Sequence, residues 1–368
     1  MYRKSLDGVR AFCVVFTVFN HIRGVPFYIV GNFGVDIFFA LSGFLITYLL
    51  VSEGRGQRNI DINGFYIRRA FRILPLYFIT IILYFVATLV PGAHKSGEEF
   101  FHSFGYLVSI IPEYGPGNGL FGHAWTLGIE EKFYLLWPMA LFLITLTGRK
   151  VIILLACMVI ATALVILSSS PENLVRGYFG LSFGAIIAVA TLKMQSMRSV
   201  LARLPLAAYA LGGIVLCYVA LVFSHSFIFN ICIAAFAAVM VASLWQNERQ
   251  IISKILSLSA ISFFGRLTYA MYLTHVLVMN LVLMVLGRLK VPPQFLLVFA
   301  LTYIGTAIFA GMLHAWVEVP LINIGRQLAK RSNYDQLVAS DPVGTDEKAG
   351  SSPASEAATP AIRPETRT

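Results

Sequence analysis

The chain has 368 residues, of which 58% are hydrophobic and 12% charged, and it carries a formal net charge of +10. This balance excludes an ordinary soluble domain and is typical of a protein that crosses a membrane several times. Because the basic residues lie mainly in the connections between apolar segments, they indicate membrane orientation, and we expect no nucleic-acid partner.

We predict an all-α fold, a polytopic integral membrane bundle of about ten transmembrane helices, because each span needs about 17 to 25 mostly apolar residues. Basic residues concentrate in alternate connections, which predicts that both termini are cytoplasmic. Residues 1–331 form the predicted transmembrane domain, and residues 332–368 are expected to form a disordered cytoplasmic tail. The predicted spans are residues 6–22, 33–51, 73–90, 127–146, 151–167, 178–192, 206–223, 228–245, 264–286 and 295–317.

The first predicted helix has an ionisable face in an otherwise apolar segment. Arg10 and His21 are eleven residues apart, about three turns, so both side chains point the same way as Asp7 and Thr17. An ionisable group at membrane depth costs roughly 2.5 to 3.5 kcal/mol, so this face is expected to line a polar chamber inside the bundle. We expect the segment to be a retained span and not a cleaved signal peptide.

The second predicted helix has Asp36 near its entry and Ser42 in its middle. It also contains Gly34 and Gly43, small residues that let the backbones of neighbouring helices approach closely. Two interpretations of Asp36 stay open: an N-cap on a packing helix, or a carboxylate with a direct role in the chamber.

Three arginines, Arg68, Arg69 and Arg72, precede the third apolar run. Arg69 and Arg72 are three residues apart and share a helix face, where two guanidinium groups can bind a polyphosphate. The alternative is that they only anchor the helix to anionic headgroups. Arg10 lies near the same end of its own helix, which favours a basic mouth to the chamber.

The fourth predicted helix opens with polar and aromatic side chains. Glu130, Tyr134 and Trp137 lie on one helical face, and Trp125 suits either a membrane-interface belt or a sugar platform. Because a carboxylate that leads into a span usually has a partner, Glu130 is expected to pair with the basic groups of the chamber. His123, just before this helix, is a further candidate.

Two later histidines also lie beside polar residues. Thr268, Tyr272 and His275 share a helix face, and His314 and Glu318 are four residues apart. For His275 and His314 a hydrogen bond between helices is the preferred interpretation, whereas Glu318 is kept as a candidate site residue. Since the histidines are dispersed without metal-ligand spacing, we expect no metal.

Six strings stand in order along the chain: LDGVRA with His21, GVDIFFALSGFLIT, FYIRRAFRILPLY, HAWTLGIEEKFYLLWP, GRLTYAMYLTH and WVEVP. Together they resemble the signatures of membrane acyltransferase family 3, whose members move acyl groups from coenzyme A thioesters to hydroxyls, mostly on carbohydrates. The resemblance covers residues 2 to about 325. Thr268 replaces the usual Ser, and Asn20 before His21 is unusual.

The resemblance implies an acyltransferase with acyl-CoA, most simply acetyl-CoA, as co-substrate and no metal. The implied catalytic residues are His21, as general base on the acceptor hydroxyl, and Asp36 or Glu130, either of which would orient it. Direct attack is expected over an acyl-enzyme, because no Ser or Cys with an adjacent base is evident. The donor phosphates would bind Arg10, Arg68, Arg69 and Arg72, and further candidates are Ser42, His123, Trp125, Tyr134, Tyr272, His275 and Glu318.

The expected partners are the lipid bilayer and a carbohydrate or glycoconjugate acceptor, with a homo-oligomer as one option, and the resemblance implies a bacterial plasma membrane. We expect no appended extracytoplasmic domain. One competing interpretation is a transporter or flippase that uses the chamber without chemistry, although no clear internal repeat supports it. Another is a non-catalytic partner subunit, which the retained polar residues disfavour.

Overall fold

The computed structural model describes residues 3–22, 28–53, 61–88, 122–147, 171–223 and 227–340, and within these residues the chain is helical with no strand. A single 3-10 turn, Gly122–Ala124, precedes the fourth helix. The helices are α1 Lys4–His21, α2 Tyr28–Glu53, α3 Ile62–Thr88, α4 Trp125–Thr147, α5 Pro171–Lys193, α6 Gln195–Arg203, α7 Leu206–Phe223, α8 Phe227–Gln246, α9 Ile251–Leu256, α10 Ser259–Arg288, α11 Phe295–Leu313 and α12 Val319–Ser340.

Each predicted span overlaps one of these helices, except residues 151–167, which lie outside the described residues. By length and composition, four described helices can cross a membrane, and a pair bent by 109° makes a fifth if it is one span. The structure therefore shows a helical bundle with several apolar helices, and the predicted count of ten is not confirmed. The four are Phe33–Glu53, Ile62–Ala87, Ser259–Arg288 and Phe295–Ser332, and the bent pair is Gly177–Lys193 with Gln195–Arg203.

The helix α1 is less apolar than these spans because it carries the ionisable face. It packs between α2 and α10, so that this face is turned inward. Asp7 is 3% exposed and Thr17 is 4% exposed, while Arg10 and His21 are half-buried. The predicted polar interior therefore lies where α1, α2 and α10 meet.

Glycines set the close approach of the helices around α1 and α2. A Cβ at Gly43 would collide with the backbone of Leu181 on α5, and a Cβ at Gly34 would lie 2.6 Å from the carbonyl oxygen of Cys13 on α1. Both glycines are thus at backbone contacts, as predicted from the sequence. At such positions any larger residue would push the helices apart.

The helix α3 begins at Ile62, about three turns before the predicted span, so the three arginines lie within a helix and their faces are defined. At the other end of the chain, α11 and α12 are joined by a π-helical segment, His314–Glu318, and α12 packs against α3. The helix α12 continues to Ser340 and so enters the segment that we predicted from sequence to be a disordered tail. Extending a packed helix costs little once it is nucleated. Residues 341–368 lie outside the described residues.

Candidate active site

The inward face of α1 meets two polar clusters, one at each end. Arg10 lies in a basic cluster with residues of α3, and His21 lies in a histidine cluster with residues of α10 and the 3-10 turn. Eleven residues at 1.5 Å per residue place these two ends about 16 Å apart along the helix.

The histidine cluster brings together three residues that are distant in sequence. The ring centroids of His21 and His275 are 4.7 Å apart, those of His123 and His275 are 4.8 Å apart, and those of His21 and His123 are 6.0 Å apart. Nε2 of His275 lies 3.3 Å from Nδ1 of His21. The hydrogen bond between helices that we predicted for His275 is therefore present, and it reaches His21.

The hydrogen bonds define which nitrogen of neutral His21 carries the proton. Nδ1 of His275 lies 2.6 Å from the carbonyl oxygen of Tyr272, so this nitrogen must carry the proton and leave Nε2 as an acceptor. Nδ1 of His21 faces both that acceptor and the carbonyl oxygen of Thr17, at 2.8 Å, so it must donate. In neutral His21, Nε2 then holds the lone pair and can accept a proton from a substrate.

Tyr272 connects the histidines to the start of α4. Its hydroxyl donates to the carbonyl oxygen of His123 and lies 2.5 Å from the hydroxyl oxygen of Thr126. The ring of Tyr84 on α3 is 6.0 Å from that of His123, and its hydroxyl donates to the carbonyl oxygen of Leu273 at 3.1 Å. Sequence reasoning missed both Thr126 and Tyr84: Thr126 stands inside a recognised string, whereas Tyr84 stands in an apolar run that gives no signal.

The basic cluster consists of Arg10, Arg69 and Arg72. Arg10 interacts electrostatically with Arg72, and Arg69 with both, so three positive charges converge from α1 and α3. Asp7 offsets part of this charge by accepting from Nη1 of Arg10 at 3.1 Å. A group of like charges held together at one end of a helix bundle is an anion-binding arrangement.

Aromatic rings fix the position of Arg69. Its guanidinium carbon lies 4.9 Å from the ring centroid of Tyr134 and 5.6 Å from that of Phe65. Stacking of this kind holds the planar fork in one orientation, which suits recognition of a phosphate.

Arg68, which we predicted to join the donor-binding group, has a different set of partners. Its guanidinium lies 3.2 Å from a carboxylate oxygen of Asp61 and 3.7 Å from one of Glu53. Asp61 also accepts from the backbone N–H of Gly64 at 2.8 Å and so caps α3. Because Arg68 follows Asp61 by seven residues, the two lie on one face of the helix, and Arg69 is turned about 100° from Arg68.

Glu130 contacts α2 in the structure. Ser42 donates to Oε1 of Glu130 at 2.6 Å, and the hydroxyl of Tyr134 donates to Ser42 at 3.3 Å. Glu130 also interacts electrostatically with Arg69 and Arg10, which agrees with the expected pairing with basic groups. The neighbours of His21 Nδ1 are Thr17 and His275, so a role for Glu130 or the buried Asp36 in orienting His21 stays a prediction.

A cavity of about 40 Å³ lies between the two clusters. Its lining includes Cys13 and Thr17 of α1, Glu130 beside the arginines, and Tyr272 beside the histidines. A volume of this size holds about three water molecules. The cavity therefore lies on the path between Arg10 and His21.

The remaining candidates lie at the edges of these clusters. Trp125 packs against Phe39, with ring centroids 6.1 Å apart, in the wall next to the cavity. Glu318 is buried and lies 2.6 Å from Nδ1 of His314. That bond lies within one π-helical segment, in contrast to the interhelical bond that we predicted for His314.

Comparison with known proteins gives consistent likenesses. The family model described as "Acyltransferase domain" matches residues 3–311. The O-acetyltransferase OatA of Staphylococcus aureus (strain NCTC 8325 / PS 47) is 26% identical over 349 residues, covering 87% of this chain and 57% of the relative. The peptidoglycan O-acetyltransferase OatA of Listeria monocytogenes is 28% identical over 308 residues, covering 74% of this chain and 49% of the relative. The chain thus spans about half the length of these relatives, and no solved structure matches it.

Proposed function

Because this chain belongs to the acyltransferase-domain family, we propose that it is a membrane-embedded O-acyltransferase. In this proposal it moves an acyl group, most simply acetyl, from a coenzyme A thioester to a carbohydrate hydroxyl. The observation that carries the proposal is the pairing, on one face of α1, of a three-arginine cluster with a histidine whose Nε2 is the basic nitrogen.

The donor binds through its phosphates at the arginine end. Arg69 and Arg72 on α3, with Arg10 on α1, supply the positive charge and the planar donors that phosphate prefers. The pantetheine arm then extends past Cys13 and Thr17, along the cavity that these residues line. The thioester reaches His21 at the far end, about 16 Å along α1.

The chemistry is one direct transfer. Nε2 of His21 takes the proton of the acceptor hydroxyl as its oxygen attacks the thioester carbonyl carbon, and a carbon–oxygen bond forms. The carbon–sulfur bond then breaks, and the sulfur leaves with the proton that His21 returns. The products are the O-acyl ester and free coenzyme A, and His21 is again neutral.

The acceptor and the orientation are parts of the same proposal. The relatives carry the names O-acetyltransferase and peptidoglycan O-acetyltransferase, which supports a carbohydrate of the cell envelope as acceptor. The loop charges support cytoplasmic termini in a bacterial plasma membrane, so that the arginine end faces the cytosolic donor.

The test uses the full chain, purified in nanodiscs, with acetyl-CoA labelled in the acetyl group and muropeptides or a lipid-linked disaccharide as acceptor. We expect alkali-labile label on the glycan, and a loss of at least about 100-fold in kcat for His21→Gln. The exposed Arg288→Gln serves as the matched control and should retain full activity.

Substantial transfer by a folded His21→Gln protein would overturn the general-base role. If the wild-type protein transfers no label but moves the glycan across proteoliposomes, the transporter interpretation replaces this proposal.

A further inference from the structure

The residue that faces His21 across the bundle is His275, whose Nε2 lies 3.3 Å from Nδ1 of His21. We propose that His275 is a positioning residue that fixes the reactive tautomer of His21 and stabilises the imidazolium formed during transfer. This inference rests on the proposed function, because it assigns to His275 the role that a carboxylate has in other general-base sites.

His275 is itself held in one orientation. Its Nδ1 donates to the carbonyl oxygen of Tyr272 on the same helix, and its side chain is completely buried. The hydroxyl of Tyr272 in turn contacts the carbonyl oxygen of His123 and the hydroxyl of Thr126. These contacts hold α10, next to His275, against the start of α4. Nε2 of His275 is thus presented to His21 as an acceptor in one orientation.

The contact with His275 acts on both the tautomer and the charge of His21. With Thr17 and His275 both accepting from Nδ1, the proton cannot move to Nε2 without loss of both hydrogen bonds. When Nε2 takes the hydroxyl proton, Nδ1–H becomes part of a cation, and its hydrogen bonds become charge-assisted and stronger. The contact therefore stabilises the transition state more than the ground state, which raises kcat.

A neutral partner suits the position that faces Nδ1 of His21. The titratable rings near the pair include His123 and Tyr272, whose centroids lie 4.8 Å and 5.8 Å from that of His275, and Tyr84, 6.0 Å from His123. A buried imidazole can accept this hydrogen bond without the large desolvation cost of an ionised carboxylate. An acceptor of this kind can orient His21 from α10.

The test compares two replacements of His275. In His275→Gln the side-chain oxygen can take the place of Nε2 and accept from His21, whereas His275→Leu removes the acceptor at similar size. We expect kcat to fall about tenfold in His275→Leu and less than about threefold in His275→Gln, with the donor KM unchanged in both. Asn280→Leu, a polar-to-leucine change five residues along α10, is the matched control and should keep wild-type kinetics.

A second measurement reports the tautomer directly. In protein labelled with [15N]histidine, the His21 signals are assigned by their loss in His21→Gln. We expect a protonated Nδ1 and an unprotonated Nε2 in the wild type and in His275→Gln. In His275→Leu only the carbonyl oxygen of Thr17 still accepts from Nδ1, so we expect a larger fraction of the tautomer protonated at Nε2.

Equal kcat in folded wild type and His275→Leu would overturn the inference, as would equal losses in the Leu and Gln variants. An active His21→Gln variant would instead overturn the proposed function, so the two failures are distinguishable.

Discussion

Replacing Arg72 with Gln removes one of the three charges that we propose bind the phosphates of the donor. Arg72 is exposed and interacts with Arg10 and Arg69 across the basic cluster, so its loss should leave the fold intact. A hydrogen bond to a charged group is worth about 1.5 to 3 kcal/mol, and solvent and salt reduce this at an exposed position. A loss of about 1.4 kcal/mol corresponds to a tenfold rise in the donor KM.

The same change at Arg69 should have a larger effect. Its guanidinium is held over Tyr134 at 4.9 Å and over Phe65 at 5.6 Å, where it is better shielded from solvent. We expect Arg69→Gln to raise the donor KM roughly 30-fold. Arg69→Lys keeps the charge but loses the planar fork and the stacking, so it should fall between Arg69→Gln and the wild type.

The assay is initial-rate kinetics in nanodiscs, with acetyl-CoA varied at saturating acceptor and at two salt concentrations. Arg203→Gln, an exposed change on α6, is the control for removal of a positive charge. Acetyl-dephospho-CoA, which lacks the 3′-phosphate, tests which arginine binds this phosphate. With this donor, replacing that arginine with Gln should no longer raise the donor KM. An unchanged donor KM in folded Arg69→Gln and Arg72→Gln would refute phosphate binding by this cluster and leave membrane anchoring as their role.

Two further predictions follow from the packing. Gly43→Ala should lower the free energy of unfolding by about 1 to 3 kcal/mol, because the new methyl group collides with the backbone of Leu181. The control Gly287→Ala should leave it unchanged, because a methyl group there meets nothing within 4 Å. Thermal unfolding in detergent measures both variants, and equal stability of the two would contradict the close contact at Gly43. Cys13→Leu should fill the cavity between the two clusters and reduce the rate of acyl transfer at least about tenfold. The control Cys232→Leu, at an exposed position, should leave the rate unchanged. Full activity of a folded Cys13→Leu protein would exclude this route for the pantetheine arm.

Much of the fold and part of the site could be predicted because they depend on local periodicity and composition. The turn of the α-helix places Arg10 and His21 on one face and Arg69 and Arg72 on another, whatever surrounds them. In the same way, Gly34 and Gly43 indicated close backbone contacts that the structure contains. The end of α12 was harder to predict, because a polar sequence gives no sign that a packed helix will extend into it.

By itself, the sequence determined that this chain is an apolar helical bundle with an ionisable face on its first helix, since composition and helical period are properties of the chain alone. Only the tertiary structure decided which groups meet that face. His275 contacts His21, which is 254 residues away in the sequence. Ser42 donates a hydrogen bond to Oε1 of Glu130, and Arg68 forms an ion pair with Asp61. The physical reason is that helical periodicity defines only the direction of a side chain on its own helix. Which partner it meets depends on the relative height and rotation of separate helices, and backbone contacts such as that of Gly265 with Asp7 determine these.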